Sequence, residues 1–431
     1  MKILLKNAQV ITINENNEVL NKVNVGIKDG YIDFISKEIN EEEKSFDKVI
    51  DCTGKTVMPG FINSHNHASM TLFRNYADDL KLMDWLFNKI FPLEDKLNGE
   101  MAYWASQLAI IEMIKSGTTT FADMYFFMDK TVEAVAEAGI RGMLSRGLTG
   151  NGTTDADPRL KENIELYEKY NNIADGRVKI MFGPHAVYTC SEEYLRVIAD
   201  KSKELNIPIQ VHMSETKDEV NNCIDKYGVS PVKLLDRTGI LTPSTVAAHC
   251  VIVDDEDIDI IAEKRVSVAH NPGSNLKLAS GIAPVTKFMK KDINVCLGTD
   301  GASSNNNLDM LEEIRMATYI QKVHLEDPTA LPVDDVLRMA TVNGAKAFGY
   351  ENLGTIEVGM LADLIILNTE KAHYYPKYNI KSSIVYSGNS SDVETVIVNG
   401  NIVMEKGVIL TMDEERVLRE TQLWAEKLVN M

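Results

Sequence analysis

Short apolar segments recur along the middle of the chain, and stretches with helical apolar spacing lie between most of them. Buried parallel strands are nearly continuous in apolar residues, and the helices that connect them bury one apolar stripe. Strand–helix alternation repeated eight times predicts an α/β fold, a (β/α)8 barrel of the TIM type. The eight apolar runs, in chain order, are TVMPGFIN, TTTFADM, IRGMLSRGL, VKIMFGPH, IPIQVHMSE, TVAAHC, VSVAHNP and INVCLGTD.

The two ends of the chain have a different pattern, in which apolar and polar positions alternate and Asp-Gly or Asn-Gly turns separate the segments. This is typical of short antiparallel strands joined by hairpins. Neither end has enough strands to bury a core alone, so we expect both ends to form one small β-sandwich domain. The predicted organisation is residues 1–55 as the first part of this domain, 56–351 as the barrel, and 352–431 as the second part with a C-terminal helix.

Side chains capable of metal binding or catalysis lie at the ends of the predicted barrel strands, where the active sites of such barrels are found. His65 and His67 close the first run, His212 lies near the end of the fifth, and Asp300 closes the eighth. Because residues i and i+2 of a strand share a face, the two histidines of the first run would converge on one point. Each of these residues alone is more often a buried or capping residue. Together, at the strand ends of one barrel, they indicate a shared site.

Three imidazole nitrogens and one carboxylate, from His65, His67, His212 and Asp300, are typical ligands of a catalytic zinc site that keeps room for water. Such a metal lowers the pKa of its water toward neutrality. A two-metal barrel would need a bridging group, typically a carbamylated lysine at the end of strand four. Here that strand ends in FGPH, and Lys179 lies near its start. We therefore predict one divalent metal per chain, with Zn²⁺ as the expected ion.

The composition and net charge limit the kinds of molecule that the protein can bind. The chain has 431 residues, of which 44% are hydrophobic and 25% charged, enough for a large core. A formal net charge of −18 argues against a nucleic-acid backbone or an anionic membrane as partner, but not against a small nucleoside. Five scattered cysteines without C-x-x-C spacing, no signal sequence and no apolar window of membrane length predict a cytoplasmic protein.

Four segments, PGFINSHNH, HMSET, NPGSNLKLASGIAPV and LGTDGASSNNNLDM, resemble the amidohydrolase superfamily. They are most similar to its 5-methylthioadenosine/S-adenosylhomocysteine deaminase family, and the resemblance extends over essentially the whole chain, including GTIEVGMLADLIIL. H-x-H alone is a weak signal, whereas H-x-H, H-x-x-E and T-D-G in this order are specific. The resemblance implies a zinc-dependent aminohydrolase that deaminates the adenine ring of S-adenosylhomocysteine, 5-methylthioadenosine and adenosine, which gives the inosine analogue and ammonia.

The resemblance also implies catalytic roles for three residues. Glu215 follows the ligand His212 by three positions and would protonate purine N1 as a general acid with a raised pKa. His249 and Asp300 would orient and deprotonate the attacking water. Asp300 would then pass its proton to the leaving amine.

Substrate contacts are implied by the resemblance at four further positions. Glu94, after IFP, corresponds to a glutamate that binds the ribose hydroxyls, and His185 corresponds to a substrate-contacting histidine. Arg146 and Arg159 would line the nucleoside pocket, and one of them would bind the homocysteine carboxylate. Glu215 and Asp300 would contact the substrate as well. The sequence alone favours solvated positions for Glu94 and Arg159, and it is equally compatible with an ion pair between Arg146 and Asp123.

Two other functions stay compatible with the sequence alone. A sister enzyme of the same superfamily would act on guanine, on 8-oxoguanine or, as a chlorohydrolase, on triazines. A barrel that has lost its metal would serve as a scaffold, although the complete ligand set and Glu215 argue against this. Members of the family are often multimeric, so the resemblance also allows a homo-oligomer.

Overall fold

The computed structural model describes residues 1–39 and 45–431. Alternating and continuous apolar segments form the strands, and segments with helical apolar spacing form the helices. The strands are β1 (Lys2–Ile11), β2 (Val19–Lys28), β3 (Tyr31–Ser36), β4 (Lys48–Asp51), β5 (Lys55–Pro59), β6 (Phe61–Asn66), β7 (Thr118–Tyr125), β8 (Arg141–Leu148), β9 (Val178–Pro184), β10 (Ile209–Met213), β11 (Thr245–His249), β12 (Ser267–His270), β13 (Val295–Leu297), β14 (Leu364–Asn368), β15 (Val393–Val398), β16 (Asn401–Glu405) and β17 (Val408–Ile409).

Helices follow most of the barrel strands and also cover the C-terminal part of the chain. Their bounds are Leu82–Trp85, Phe91–Glu94, Gly99–Lys115, Met128–Ala138, Pro158–Tyr170, Ile173–Gly176, Glu192–Leu205, Lys217–Tyr227, Pro231–Thr238, Asp255–Glu263, Pro272–Lys277, Val285–Lys290, Met310–Leu325, Val333–Met339, Val342–Ala347, Ile380–Ser387 and Glu414–Asn430. A π-helical turn spans Leu86–Ile90, and 3-10 turns span Ala68–Phe73, Ala372–Tyr374 and Ser390–Asp392.

The barrel consists of the parallel strands β6 to β13, eight within the described residues, paired in the order of the chain. All eight correspond to the apolar runs of the sequence, so the predicted (β/α)8 barrel is confirmed. The backbone N–H of Asp300, just after β13, donates to the carbonyl of His65 on β6 at 2.9 Å and links the last strand to the first. This closure brings the C-terminal strand ends together, as a catalytic barrel requires.

The two ends of the chain combine into a second, mixed sheet, as predicted. Its order is β17-β16-β15-β14-β5-β1-β2-β3, with β4 beside β1, which makes nine strands among residues 1–39 and 45–431. C-terminal β14 pairs antiparallel with β5, and β5 pairs parallel with β1. The sheet has its own apolar cluster, to which Ile3, Val25, Leu364 and Ile397 contribute. Strands from both ends are therefore needed for one core.

The first apolar run, TVMPGFIN, differs from the expectation of a single barrel strand. Its first half belongs to β5 of the terminal sheet, and its second half is β6 of the barrel. The break falls at Gly60, where a Cβ atom would meet the side chain of Thr119 at 2.2 Å. Close approach of the chain to β7 therefore requires glycine at this step. The boundary predicted between residues 55 and 56 falls inside β5.

The C-terminal helix Glu414–Asn430 packs on the barrel helix Gly99–Lys115, and the hydroxyl of Thr421 donates to the carbonyl of Trp104 at 3.1 Å. Across the residues that the structure describes, no helix combines the length and the apolar character needed to cross a membrane.

Candidate active site

The first strand of the barrel places His65 and His67 on one side of the barrel mouth. The pairing of β6 with β7 shifts register between Asn63 and Asn66, so the strand bulges where the two histidines lie. Their rings meet edge to face, with centroids 4.9 Å apart. The sequence prediction that this pair converges is consistent with this geometry, and a bulge at a strand end is a common way to aim side chains at a site.

Three imidazoles and one carboxylate meet at a single point. The Nε2 atoms of His67 and His212 lie 3.2 Å apart. The Oδ1 atom of Asp300 lies 3.2 Å from Nε2 of His67 and 3.5 Å from Nε2 of His65. The Nε2 atom of His65 is buried and lacks a hydrogen-bond partner within the described residues. A buried nitrogen without a partner beside three other ligand atoms is the arrangement expected of a metal-binding cluster.

The other ring nitrogen of each histidine is already bonded, which leaves Nε2 as the free ligand atom. Because each acceptor is a carbonyl oxygen, each Nδ1 carries the proton. The contacts are His65 Nδ1 to Gln210 Oε1 at 2.7 Å, His67 Nδ1 to the Met124 carbonyl at 2.7 Å, and His212 Nδ1 to the His185 carbonyl at 2.8 Å. The tautomers therefore fit metal coordination through Nε2.

Asp300 is held by hydroxyl and backbone donors. Ser274 and Ser304 donate to Oδ2 at 2.6 and 2.9 Å, and the N–H of Gly301 donates to Oδ1 at 2.8 Å. Burial opposes ionisation of Asp300, but the close imidazoles of His65 and His67 outweigh it and hold the pKa of this carboxyl well below its usual range. Asp300 is thus a carboxylate that can bind a cation or accept a proton.

Glu215 faces the same cavity from the turn after β10. It is 4% exposed, and its nearest polar side chains are Ser280 at 3.5 Å and Nε2 of His249 at 3.9 Å. Burial, together with the charge of Asp300, raises the pKa of Glu215 to about 8. A carboxyl group that keeps its proton at neutral pH is suited to act as a general acid.

His249 ends β11 with a left-handed backbone, φ +72°. Its Nδ1 donates to Oδ1 of Asn275 at 2.8 Å, so Nε2 faces Glu215. Burial lowers the pKa of His249 below its ordinary value, which leaves the imidazole neutral near pH 7. A neutral imidazole with an unprotonated Nε2 can accept a hydrogen bond from water.

A cavity opens above this cluster. Residues 82–94 run along one side of it and contribute Leu82, Trp85 and Phe91 to the wall. Glu94 lines the cavity and accepts a hydrogen bond from the hydroxyl of Tyr125 at 2.6 Å. Burial raises the pKa of Glu94 to about 7.

His185 also lines the cavity. Its Nδ1 lies 2.9 Å from the hydroxyl of Thr189, and its ring meets that of Tyr188 edge to face. Burial and the charges of His67 and His65 lower the pKa of His185 to about 3, so the imidazole stays neutral. It can therefore contact a neutral heterocycle without placing a charge beside it.

The two predicted arginines do not line the cavity in the part of the chain that the structure describes. Arg146 donates from Nε to Glu162 at 2.9 Å and lies over the ring of Phe126, which is itself part of the wall. Its ion-pair partner is thus Glu162 and not Asp123. Arg159 lies in the first turn of the helix that follows, where its backbone N–H is capped by Asp157 at 2.9 Å.

Sequence reasoning missed three residues that hold the site together. Gln210 lies two positions before His212 on β10, and the same period of two that related His65 to His67 would have found it. Asn275, which binds His249, and Tyr125, which binds Glu94, gave no such signal because their contacts join strands to helices that are distant in the sequence.

Comparison with known proteins agrees with this geometry. Residues 56–403 match the amidohydrolase family. The 5-methylthioadenosine/S-adenosylhomocysteine deaminase of Thermoanaerobacter pseudethanolicus is 48% identical over 431 residues, 100% of both chains. That of Caldanaerobacter subterraneus subsp. tengcongensis is 48% identical over 431 residues, 100% of this chain and 99% of the relative.

Among solved structures, an adenosine deaminase from Xanthomonas campestris with bound zinc superposes with a TM-score of 0.94. It is 30% identical, and the match covers 100% of this chain and 99% of that one. The resemblance seen in the sequence is confirmed. The chain belongs to the amidohydrolase family and, within it, to the 5-methylthioadenosine/S-adenosylhomocysteine deaminase family.

Proposed function

We propose that the protein hydrolytically deaminates the adenine ring of S-adenosylhomocysteine, 5-methylthioadenosine and adenosine, which gives the inosine analogue and ammonia. One observation carries the proposal: the carboxyl of Glu215, whose pKa burial raises to about 8, opens into the same cavity as the converging Nε2 atoms and Asp300. A proton donor beside a metal-binding cluster is what replacement of a ring amine by water requires.

The residues that would hold the metal are His65, His67, His212 and Asp300, and we propose a single Zn²⁺ ion. When bound, such an ion supplies Lewis acidity and a water of lowered pKa. The uncommitted Nε2 atom of His65 and the bonded Nδ1 atoms support this donor set. Elemental analysis should give about one zinc per chain, and about two would contradict the proposal.

The protein groups would move protons as follows. Glu215 donates its proton to purine N1, which makes C6 electrophilic. His249 accepts a hydrogen bond from the attacking water and orients it, and Asp300 accepts a proton from that water. Asp300 then returns that proton to the amine, the bond between C6 and the amine nitrogen breaks, and ammonia leaves. The second water proton, on the C6 hydroxyl, returns to Glu215 as the ring carbonyl forms.

We propose that Glu94 binds the ribose hydroxyls and that His185 contacts the base, since both line the cavity. The apolar wall from residues 82–94 suits a 5′-thioalkyl group. We propose that Arg146 or Arg159 binds the homocysteine carboxylate, and Arg146 would then have to exchange Glu162 for the substrate. The net charge of −18 supports a small-molecule substrate over nucleic acid or a membrane surface. The five free, buried cysteines support a cytoplasmic protein.

The decisive assay is ammonia release from S-adenosylhomocysteine, 5-methylthioadenosine, adenosine, adenine and guanine, with and without a chelator. We expect chelator-sensitive turnover of the nucleosides ahead of the free bases. Turnover of a free base alone would remove the assigned role of Glu94, and no turnover by zinc-loaded protein would overturn the proposed function. Glu215→Gln, which should fold and keep its metal, is expected to lose about 10²–10⁴-fold in kcat.

A further inference from the structure

A second buried carboxylate, Glu219, lies directly behind Glu215. It is 1% exposed, on the first turn of the helix Lys217–Tyr227. One of its oxygens accepts the backbone N–H of Ser214 at 3.1 Å, and the other accepts the backbone N–H of Glu215 at 2.7 Å. Both oxygens are thus committed to the turn that carries the general acid.

These bonds go beyond ordinary helix capping. The helix already has its cap, because the hydroxyl of Thr216 accepts the N–H of Glu219 at 3.2 Å. In a capping box the glutamate would bind the N–H of the cap residue, here Thr216. The oxygens of Glu219 instead accept the N–H groups of Ser214 and Glu215, the two residues that precede Thr216. Burial and the nearby Glu215 disfavour the charged form of Glu219 and raise its pKa to about 8, whereas the backbone N–H groups of Ser214 and Glu215 act in the opposite direction.

The turn needs such support. Ser214 has a left-handed backbone, φ +53°, which a residue with a side chain adopts only when its surroundings impose it. The carboxyl of Glu215 has no polar side-chain partner closer than 3.5 Å among residues 1–39 and 45–431. Its direction is therefore set by its backbone and not by bonds to its own oxygens.

We propose that Glu219 is a positioning residue: by binding the N–H groups of Ser214 and Glu215 it holds the carboxyl of Glu215 at the angle needed to protonate the substrate. This inference rests on the proposed deaminase function. Glu219 does not line the cavity and touches no reacting atom, so it acts through Glu215. Its loss should lower kcat and leave substrate affinity and metal binding nearly unchanged.

The test compares Glu219→Gln with wild type and with Asp218→Asn, an exposed acid one position earlier on the same helix. Glutamine has the same shape but places an N–H donor against a backbone N–H. We expect kcat to fall at least tenfold in Glu219→Gln, with KM within about threefold and zinc content unchanged, and Asp218→Asn to match wild type. If Glu219→Gln does not fold, Glu219→Asp keeps the carboxylate one methylene shorter and should show the same selective loss of kcat.

A double variant separates positioning from general damage. If Glu219 acts only through Glu215, adding Glu219→Gln to Glu215→Gln should cost little further activity. Three results would each overturn this inference and leave the proposed function standing. They are an equal fall in kcat when Glu219→Gln is added to wild type and to Glu215→Gln, loss of zinc from Glu219→Gln, or a kcat of Glu219→Gln within twofold of wild type. An inactive wild type with full zinc would instead overturn the proposed function and this inference with it.

Discussion

Gln210 shows how one residue can set the chemistry of a proposed metal ligand. Its side-chain oxygen fixes the proton of His65 on Nδ1, which leaves Nε2 free for the proposed metal. Gln210→Leu removes this acceptor from a buried imidazole, and outer contacts of this kind typically change metal affinity by about 10–100-fold. Zinc retention against a graded series of chelators should fall by this factor.

The control is Gln422→Leu, an exposed change on the C-terminal helix that should leave zinc retention as in wild type. Equal zinc affinity in Gln210→Leu and wild type would show that His65 needs no partner to hold its tautomer.

The pKa of Glu215 predicts the pH above which activity should fall. As a general acid it must carry its proton, and burial raises its pKa to about 8. Below that pH the acid is protonated and active, so kcat/KM should fall about tenfold per pH unit above it. Ser280 donates to this carboxyl and favours its charged form, so Ser280→Ala should raise the pKa of Glu215 and move the alkaline fall of kcat/KM to higher pH. The measurement is ammonia release from pH 6 to 10. If the alkaline fall stays at the same pH in Ser280→Ala, it arises from a group other than Glu215.

At the scale of elements, the barrel could be predicted because its strands are buried on both faces and give continuous apolar runs. The rule that active-site residues lie at the C-terminal ends of barrel strands then predicts that His65, His67, His212 and Asp300 lie together. The split of TVMPGFIN at Gly60 could not be predicted, because two consecutive buried strands and one long strand have the same apolar pattern.

Two side-chain contacts could not be predicted from the sequence for a different reason. The bond from Glu219 to Glu215 depends on the left-handed backbone of Ser214, which no residue preference indicates for serine. The partner of Arg146 depends on where the next helix places Glu162, 16 positions later. Such contacts follow from tertiary geometry, whereas the predicted metal ligands follow from strand period and from their positions at strand ends.

The junction of β7 with the segment over the barrel mouth gives a prediction at this scale. Tyr125, the last residue of β7, donates to Glu94 at 2.6 Å and holds that segment's carboxylate in the cavity. Tyr125→Phe removes a hydrogen bond to a buried carboxyl, so KM for adenosine should rise about tenfold or more. Kinetics with 2′,3′-dideoxyadenosine, which lacks the ribose hydroxyls, should change little.

Tyr103→Phe is the matched control, since it removes another tyrosine–glutamate bond, to Glu137, away from the cavity. An equal rise in KM for both nucleosides would show that Tyr125 supports the wall and not the hydroxyl-binding carboxylate.

At the scale of the whole molecule, the terminal sheet joins the barrel at the N-terminal ends of the strands. Arg141 begins β8, and Asp363 directly precedes β14. The guanidinium binds both carboxylate oxygens at 3.0 Å, with both side chains nearly inaccessible. Asp363 also accepts the N–H of Asn399 at 2.8 Å, and its carbonyl accepts the N–H of Gly60 at 3.0 Å. This junction lies opposite the catalytic strand ends, so stability and catalysis can be changed separately.

Arg141→Met should therefore destabilise the fold without altering the chemistry. It leaves a buried carboxylate without its cation, a loss that costs about 3–5 kcal/mol. Lys48→Met breaks a more exposed pair with Glu405 in the same sheet and should cost less than about 1 kcal/mol. Urea unfolding of zinc-loaded protein gives both values, and kcat at 25 °C should match wild type in each variant. The double variant Arg141→Met, Asp363→Leu should recover part of the lost free energy of unfolding, because it also removes the unpaired charge of Asp363. A double variant no more stable than Arg141→Met would mean that packing and not charge joins the two domains.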